Sequence, residues 1–293
     1  MVGLARRIVV LALSVATSIA IAYSLFGLGF IVCTLPQATS AIGGTFSGWE
    51  HATYPEADME EIAEAVRSFS IEGTSSEDLY NTIFSVMQES EPQIAALFEK
   101  GSIEGNLDIN NTESSVDSSN SNAGSNKSNL DSTNSSTNSY AQISPTFPST
   151  NLAELEDQYS LPRNALSHLQ DCTPIFTTGR ISVGVVGGFA LVGLITLGIL
   201  AGRKRIGGTL IAGSALVIGI LVALGIWAAV DFDGIFTWMH TLFFAQGSWV
   251  FNSDSLLITL FPEAFWAAMA GLWIISSVIF ALITGIVGKI LSH

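Results

Sequence analysis

The chain has 293 residues and a net charge of −14, yet 48% of its residues are apolar and only 12% are charged. A mean hydropathy of +0.48 does not fit a water-soluble enzyme of that charge. The two facts agree only if charged and apolar residues occupy different stretches, and they do.

Four apolar runs carry almost no charge: residues 8–32, 181–201, 209–230 and 264–288. Each is long enough, at about 1.5 Å per residue, to cross a hydrocarbon core of about 30 Å. Backbone groups in lipid must be satisfied within the segment, so each run predicts a helix. The fold class expected is an all-α membrane protein with four transmembrane helices.

Residues 1–32 hold a short N-terminus and the first helix. Arg6 and Arg7 precede that helix, Arg203, Lys204 and Arg205 fill the turn between the second and third, and Lys289 follows the fourth. Basic residues stay on the cytoplasmic side. That places both termini inside, in a multi-pass cell-membrane protein, and all 25 acidic residues outside. The 25-residue apolar run exceeds the usual core of a signal peptide. Val32 before Cys33 is not the small residue that a lipobox requires, so the first helix is read as a retained anchor.

Residues 33–180 form the large extracytoplasmic domain. In ADMEEIAEAVRSF, Met59, Ile62, Val66 and Phe69 share a helical face, with Asp58 as N-cap; in SSEDLYNTIFSVM, Leu79, Ile83, Val86 and Met87 do the same. Both stripes are read as core packing. Residues 36–54 and the later loop near His240 leave room for some β-structure. Residues 105–150 are Ser/Asn-rich and nearly free of apolar side chains, which predicts a disordered insertion. Helical patterning returns at 151–176, where Leu161, Ala165, His168, Leu169 and Cys172 share a face and Asp171 lies three residues after His168. Cys33 and Cys172 could form one disulfide; free thiols are the expected state.

Residues 181–230 hold the second and third transmembrane helices. Residues 231–263 form a short outer loop with eight Phe and Trp residues between Phe232 and Phe261, which predicts a segment lying on or dipping into the outer leaflet. Residues 264–293 hold the fourth helix and the C-terminus. No P-loop, nucleotide or zinc-finger pattern is present, so nucleic acid is not an expected partner.

His51 and His293 read as surface groups. His168 lies 13 residues before the second apolar run and His240 ten after the third, and the tight turn makes those outer ends neighbours. Each histidine alone could be an interfacial or packing residue. Together they suit proton transfer at neutral pH. Asp171, Asp254 and Glu263 could orient an imidazole or be solvated loop ends. No HExxH or GxSxG pattern occurs, so neither a metal nor a serine nucleophile is expected.

HLQDC at 168–172 and the run 231–266 resemble a four-span membrane protein family of Gram-positive bacteria that includes the lipoprotein intramolecular transacylases. That family shows a His-x-x-Asp-Val motif before its second span. Between its third and fourth it shows Phe-His-x-x-Phe-Phe, then Trp, Asp-x-Leu-Ile and Phe-Pro-Glu-x-Phe. The matching residues here are His168, Asp171, Cys172 (for Val), Met239 (for Phe), His240, Phe243, Phe244, Trp249, Asp254, Leu257, Ile258, Phe261, Pro262, Glu263 and Phe265.

The resemblance implies an acyltransferase that moves a chain from the glycerol of a diacylglyceryl-cysteine to that residue's α-amino group. It would need no cofactor, because the donor ester carries the activation. The implied partners are the lipidated N-termini of bacterial lipoproteins and membrane lipid. His168 and His240 become the acid/base pair, Asp171 the orienting partner of His168, and Trp249, Asp254 and Glu263 residues that shape the pocket. The alternative is a non-catalytic membrane protein that binds a partner through its external domain; a hydrolase using the same histidines is a third reading.

Overall fold

The structure, a computed structural model, describes residues 2–99 and 150–293; the predicted insertion at 105–149 falls outside the described residues. In chain order the helices are α1 (Val2–Cys33), α2 (Pro36–Phe46), α3 (Glu56–Arg67), α4 (Ser76–Ser90), α5 (residues 92–99), α6 (Thr150–Tyr159), α7 (Arg163–Ala201), α8 (Arg203–Val230), α9 (Phe232–Phe243), α10 (Leu256–Leu260) and α11 (Glu263–Ser292). A 3₁₀ turn spans Trp49–His51 and a π turn Ser68–Glu72.

Among the described residues there is no strand. The room left for β-structure at 36–54 is taken by α2, which starts where Pro36 supplies a helix-ready φ at its first turn. The loop near His240 is likewise helical, as α9. Asp58 is not an N-cap: α3 begins after Pro55 and places Asp58 in its first turn, where its charge still favours the helix dipole.

Among the described residues four helices are long and apolar enough to cross a membrane, and the protein is a multi-pass membrane protein. They lie in α1, α7, α8 and α11. α1 packs against the other three, and α8 packs extensively on α11. Ile21, Leu25, Leu210, Val217, Leu221 and Ala281 form the bundle core, while residues such as Ile199, Val222, Ile226 and Ile290 are exposed on its outside. That inverted pattern suits lipid as the solvent. Helices come close where side chains vanish: a Cβ on Gly207 would sit 2.5 Å from the Gly288 carbonyl. α7 and α8 are joined by Gly202 alone, at φ +81° and ψ 175°, a conformation essentially reserved for glycine.

The remaining elements form a cap at the opposite end of the bundle from that turn. Its core contains all eight apolar residues predicted for α3, α4 and the turn between them, together with Trp49, Tyr54, Leu161 and Leu260. Arg67, only 5% exposed, ties the cap to the bundle. It donates to Glu64 at 2.6 and 2.7 Å, to Glu72 at 2.8 Å and to the Thr34 carbonyl beyond α1 at 3.2 Å. α7 has 39 residues and is about 58 Å long, nearly twice the hydrocarbon thickness. Residues 181–201 are its uncharged apolar part, and the preceding turns pack against the cap. Cys33 and Cys172 are both free thiols.

Candidate active site

The rising part of α7 presents one face to the cap core, so Ala165 and Leu169 are buried, like Leu161 just before the helix, and His168 is carried in with them. The second histidine arrives from α9. Asp231 caps that helix by accepting from the Gly234 N–H at 2.9 Å, and His240 falls in its last turn. Beyond α9 the chain turns back through residues 244–255. α10 anchors this return, with Leu256, Leu257 and Leu260 in the cap core.

The two imidazoles meet. Their ring centroids are 6.1 Å apart with planes 26° from parallel, and the residues are 9% and 8% exposed. Phe236 lies 4.1 Å from His240, Trp249 4.8 Å and Phe244 5.6 Å, ring centre to ring centre. Phe244 also lies 4.6 Å from His168, and Phe251 5.6 Å. The pair is thus enclosed by aromatic faces from α9 and the return loop.

The Nδ1 of His240 is 2.8 Å from the Phe236 carbonyl. A carbonyl only accepts, so Nδ1 carries the proton and donates, leaving the Nε2 lone pair free. The Nδ1 of His168 is buried with no partner in the protein. Burial pushes the His168 pKa down to about 4; the neighbouring His240 adds to the fall, and Asp171 opposes it. Burial also lowers His240, against the bond to Phe236. Both rings are therefore neutral near pH 7, and a proton on one disfavours a proton on the other.

The structure separates the predicted residues into two groups. His168, His240 and Trp249 come together, whereas no hydrogen bond joins Asp171, Asp254 or Glu263 to either imidazole. Asp171 is exposed and acts on His168 through space. Asp254 accepts from Gln158 at 3.2 Å, beside an Asn252–Asp157 bond of 2.7 Å, and so fastens the return loop to α6. Asp157, Asn252 and Asp254 line a groove of about 410 Å³ with Glu154, Glu156, Pro162 and Asn164, apart from the histidines. Glu263 is exposed in the first turn of α11. Sequence reasoning missed Phe244 and Phe251 as the walls of His168. The aromatic run signals an apolar surface, but not which histidine each ring covers. Among the described residues no group of three His, Cys, Asp or Glu is arranged to hold a metal.

Comparisons with known proteins agree with this architecture. A structure of the membrane-integral lipoprotein intramolecular transacylase Lit from Bacillus cereus shares the fold, with a TM-score of 0.58, 14% identity, and 99% of this chain and 96% of that one covered. A second structure of that protein, with a histidine-to-arginine substitution, gives a TM-score of 0.52 at 14% identity, covering 99% and 92%. No curated protein matches. The family described as lipoprotein intramolecular transacylase Lit matches residues 110–266, more than half of the chain. The chain belongs to the lipoprotein intramolecular transacylase family.

Proposed function

We propose that the protein transfers an acyl chain within one lipidated cysteine, from the ester at glycerol position two to the cysteine's own α-amino group. The observation that carries this reading is the enclosed imidazole pair, delivered by two separate helices into an aromatic wall, with the His240 Nε2 lone pair free. The substrate would be the diacylglyceryl N-terminus of a lipoprotein, with its acyl chains against the aromatic side chains.

In this reading His240 Nε2 takes a proton from the α-ammonium. The freed amine nitrogen attacks the ester carbonyl carbon, and the bond from that carbon to the glycerol oxygen breaks. The imidazolium then gives its proton to the departing oxygen. The nitrogen's second surplus proton passes to interfacial water as the amide forms, so an amide and a free hydroxyl result and His240 returns to its starting state. A lowered imidazole pKa suits both halves, because the ring is neutral before attack and its conjugate acid surrenders the proton readily. His168 would hydrogen-bond the glycerol oxygen in this reading, a role that its buried, unpartnered Nδ1 supports. Both reacting groups sit on one molecule, so the protein's main task is to fold them together and exclude water.

The test uses a host whose lipoproteins keep a free-amine diacyl terminus. Expression of this protein should yield a lipopeptide of unchanged mass, with one chain on nitrogen. His168→Ala and His240→Ala should each reduce the yield by about 10²-fold or more while accumulating to wild-type levels in the membrane. An unshifted lipopeptide with wild-type protein present counts against the reaction and favours partner binding; released fatty acid points to a hydrolase.

A further inference from the structure

Trp249 is anomalous among the six tryptophans of the chain. Trp49 donates its indole N–H to the Leu260 carbonyl at 3.2 Å, and Trp273 donates to the Phe26 carbonyl at 2.8 Å. Trp227, Trp238 and Trp266 are exposed and can reach interfacial water or headgroups. Trp249 alone has an enclosed Nε1 with no acceptor in the protein. A buried donor left unpaired is destabilising, because it gives up hydration for nothing, and such groups in a folded protein call for an explanation.

Its location supplies one. The indole centroid is 4.8 Å from that of His240, so the ring that carries this N–H packs against the imidazole. The other unpartnered polar atom in the same aromatic enclosure is Nδ1 of His168. Two of the unpartnered atoms thus belong to rings that neighbour one base, while the rest, on Ser47, Arg205 and Ser214, lie in other parts of the chain. A serine hydroxyl can rotate and an arginine head can reach out of the bundle, but an indole packed on a neighbouring ring has no such freedom.

We infer that the Trp249 indole N–H donates to the carbonyl oxygen of the reacting ester and stabilises the negative charge that oxygen gains. This rests on the transacylase reading above. An indole N–H is neither an acid nor a base at working pH, so it can only donate. An α-ammonium offers it no lone pair, whereas the ester carbonyl does. When the amine nitrogen bonds to the carbonyl carbon, the C=O π pair moves onto oxygen, where the N–H meets it. The pair returns as the carbon–glycerol oxygen bond breaks, and the proton follows the route through His240. A donor already in place and desolvated acts most strongly where charge develops. Trp249 is then a catalytic residue in addition to a wall of the pocket.

The experiment compares wild-type protein with Trp249 replaced by 3-benzothienylalanine, which keeps the shape and substitutes sulfur for N–H. Trp249→Phe serves as a second variant. The substrate is a synthetic diacylglyceryl lipopeptide in detergent micelles. The expected result is a kcat lower by about 10²-fold, in line with loss of one such donor, with KM little changed and Tm not lowered. A purely structural tryptophan would leave kcat unchanged in the isosteric variant, which keeps its shape, and would lower Tm in Trp249→Phe. With a 13C label in the reacting ester, bound to His240→Ala protein, the carbonyl stretch should fall in frequency, and that shift should disappear in the double variant with Trp249→Phe. Unchanged kcat, or a rise in KM alone, overturns this inference and leaves the reaction standing. Wild-type protein that transfers no chain overturns both.

Discussion

His168 is held neutral by its surroundings, and that has a consequence for stability. Its pKa in the fold is about 4, against 6.5 for a free imidazole. The folded state therefore disfavours the proton. Above pH 6.5 the group contributes nothing. As the pH falls from 6.5 towards 4 the unfolded chain takes up a proton that the folded chain refuses, so stability declines across that window. Thermal unfolding followed between pH 8 and 4 should show a steeper acid loss for wild-type protein than for His168→Gln; parallel curves would contradict this account. The histidines were legible in the sequence because the topology brings their helix ends together. The carboxylates were not. Asp171 is only three residues from His168, but the edge of the buried face runs between them, leaving one enclosed and the other exposed. Asp254, nearby in sequence, is committed to Gln158 instead.

Helix packing in the bundle depends on close backbone approach more than on apolar complementarity, since lipid is as apolar as a leucine core. Gly207 and Gly288 make the tightest such contact between α8 and α11. A Cβ on Gly207 would also lie 2.7 Å from the Ser292 backbone nitrogen, whereas one on Gly208 would meet nothing within 4 Å. Gly207→Ala should therefore destabilise the protein by about 1–3 kcal/mol, and Gly208→Ala should leave Tm unchanged or raise it, since alanine is the better helix former. Equal effects in detergent-solubilised unfolding would contradict this packing. Apolar periodicity gave away the amphipathic helices α3 and α4, because their buried faces repeat at helical spacing. Helix starts were harder to read. Pro55 begins α3 without any side-chain cap, so the carboxylate of Asp58, three residues further on, imitates an N-cap signal from inside the first turn. In residues 36–54 no periodic stripe distinguishes strand from helix, and Pro36 was the only local signal for α2.

At the scale of the whole molecule, charge and hydropathy separate along one axis. Arg6, Arg7, Arg203, Lys204, Arg205 and Lys289 lie at the end with the α7–α8 turn, and the acidic cap lies at the other. Arg6 reaches across to the Leu200 carbonyl at 2.6 Å, joining the start of α1 to the end of α7. We propose from the positive-inside rule that the basic end faces the cytoplasm, which places the imidazole pair on the outer side, where lipoprotein termini reside. Green fluorescent protein fused after His293 should fluoresce, and alkaline phosphatase at the same position should be inactive; the reverse pattern would contradict that orientation. Trp238, Leu242, Phe243 and Val250 are exposed on α9 and the loop that follows it, an apolar surface on the segment that carries His240. Acyl chains could thus approach His240 without crossing water.

The central claim is transfer within one molecule at the His168–His240 pair, and a crossover measurement tests it most directly. Two diacylglyceryl lipopeptides are mixed in equal amounts with the purified protein, one bearing deuterated acyl chains and the other a heavier peptide. Fragment masses then report which chain reaches which nitrogen. The account predicts N-acylated products in which every peptide keeps its own chain, and no product with His240→Ala. Crossed products, released fatty acid or no N-acylation by the wild-type protein would contradict it.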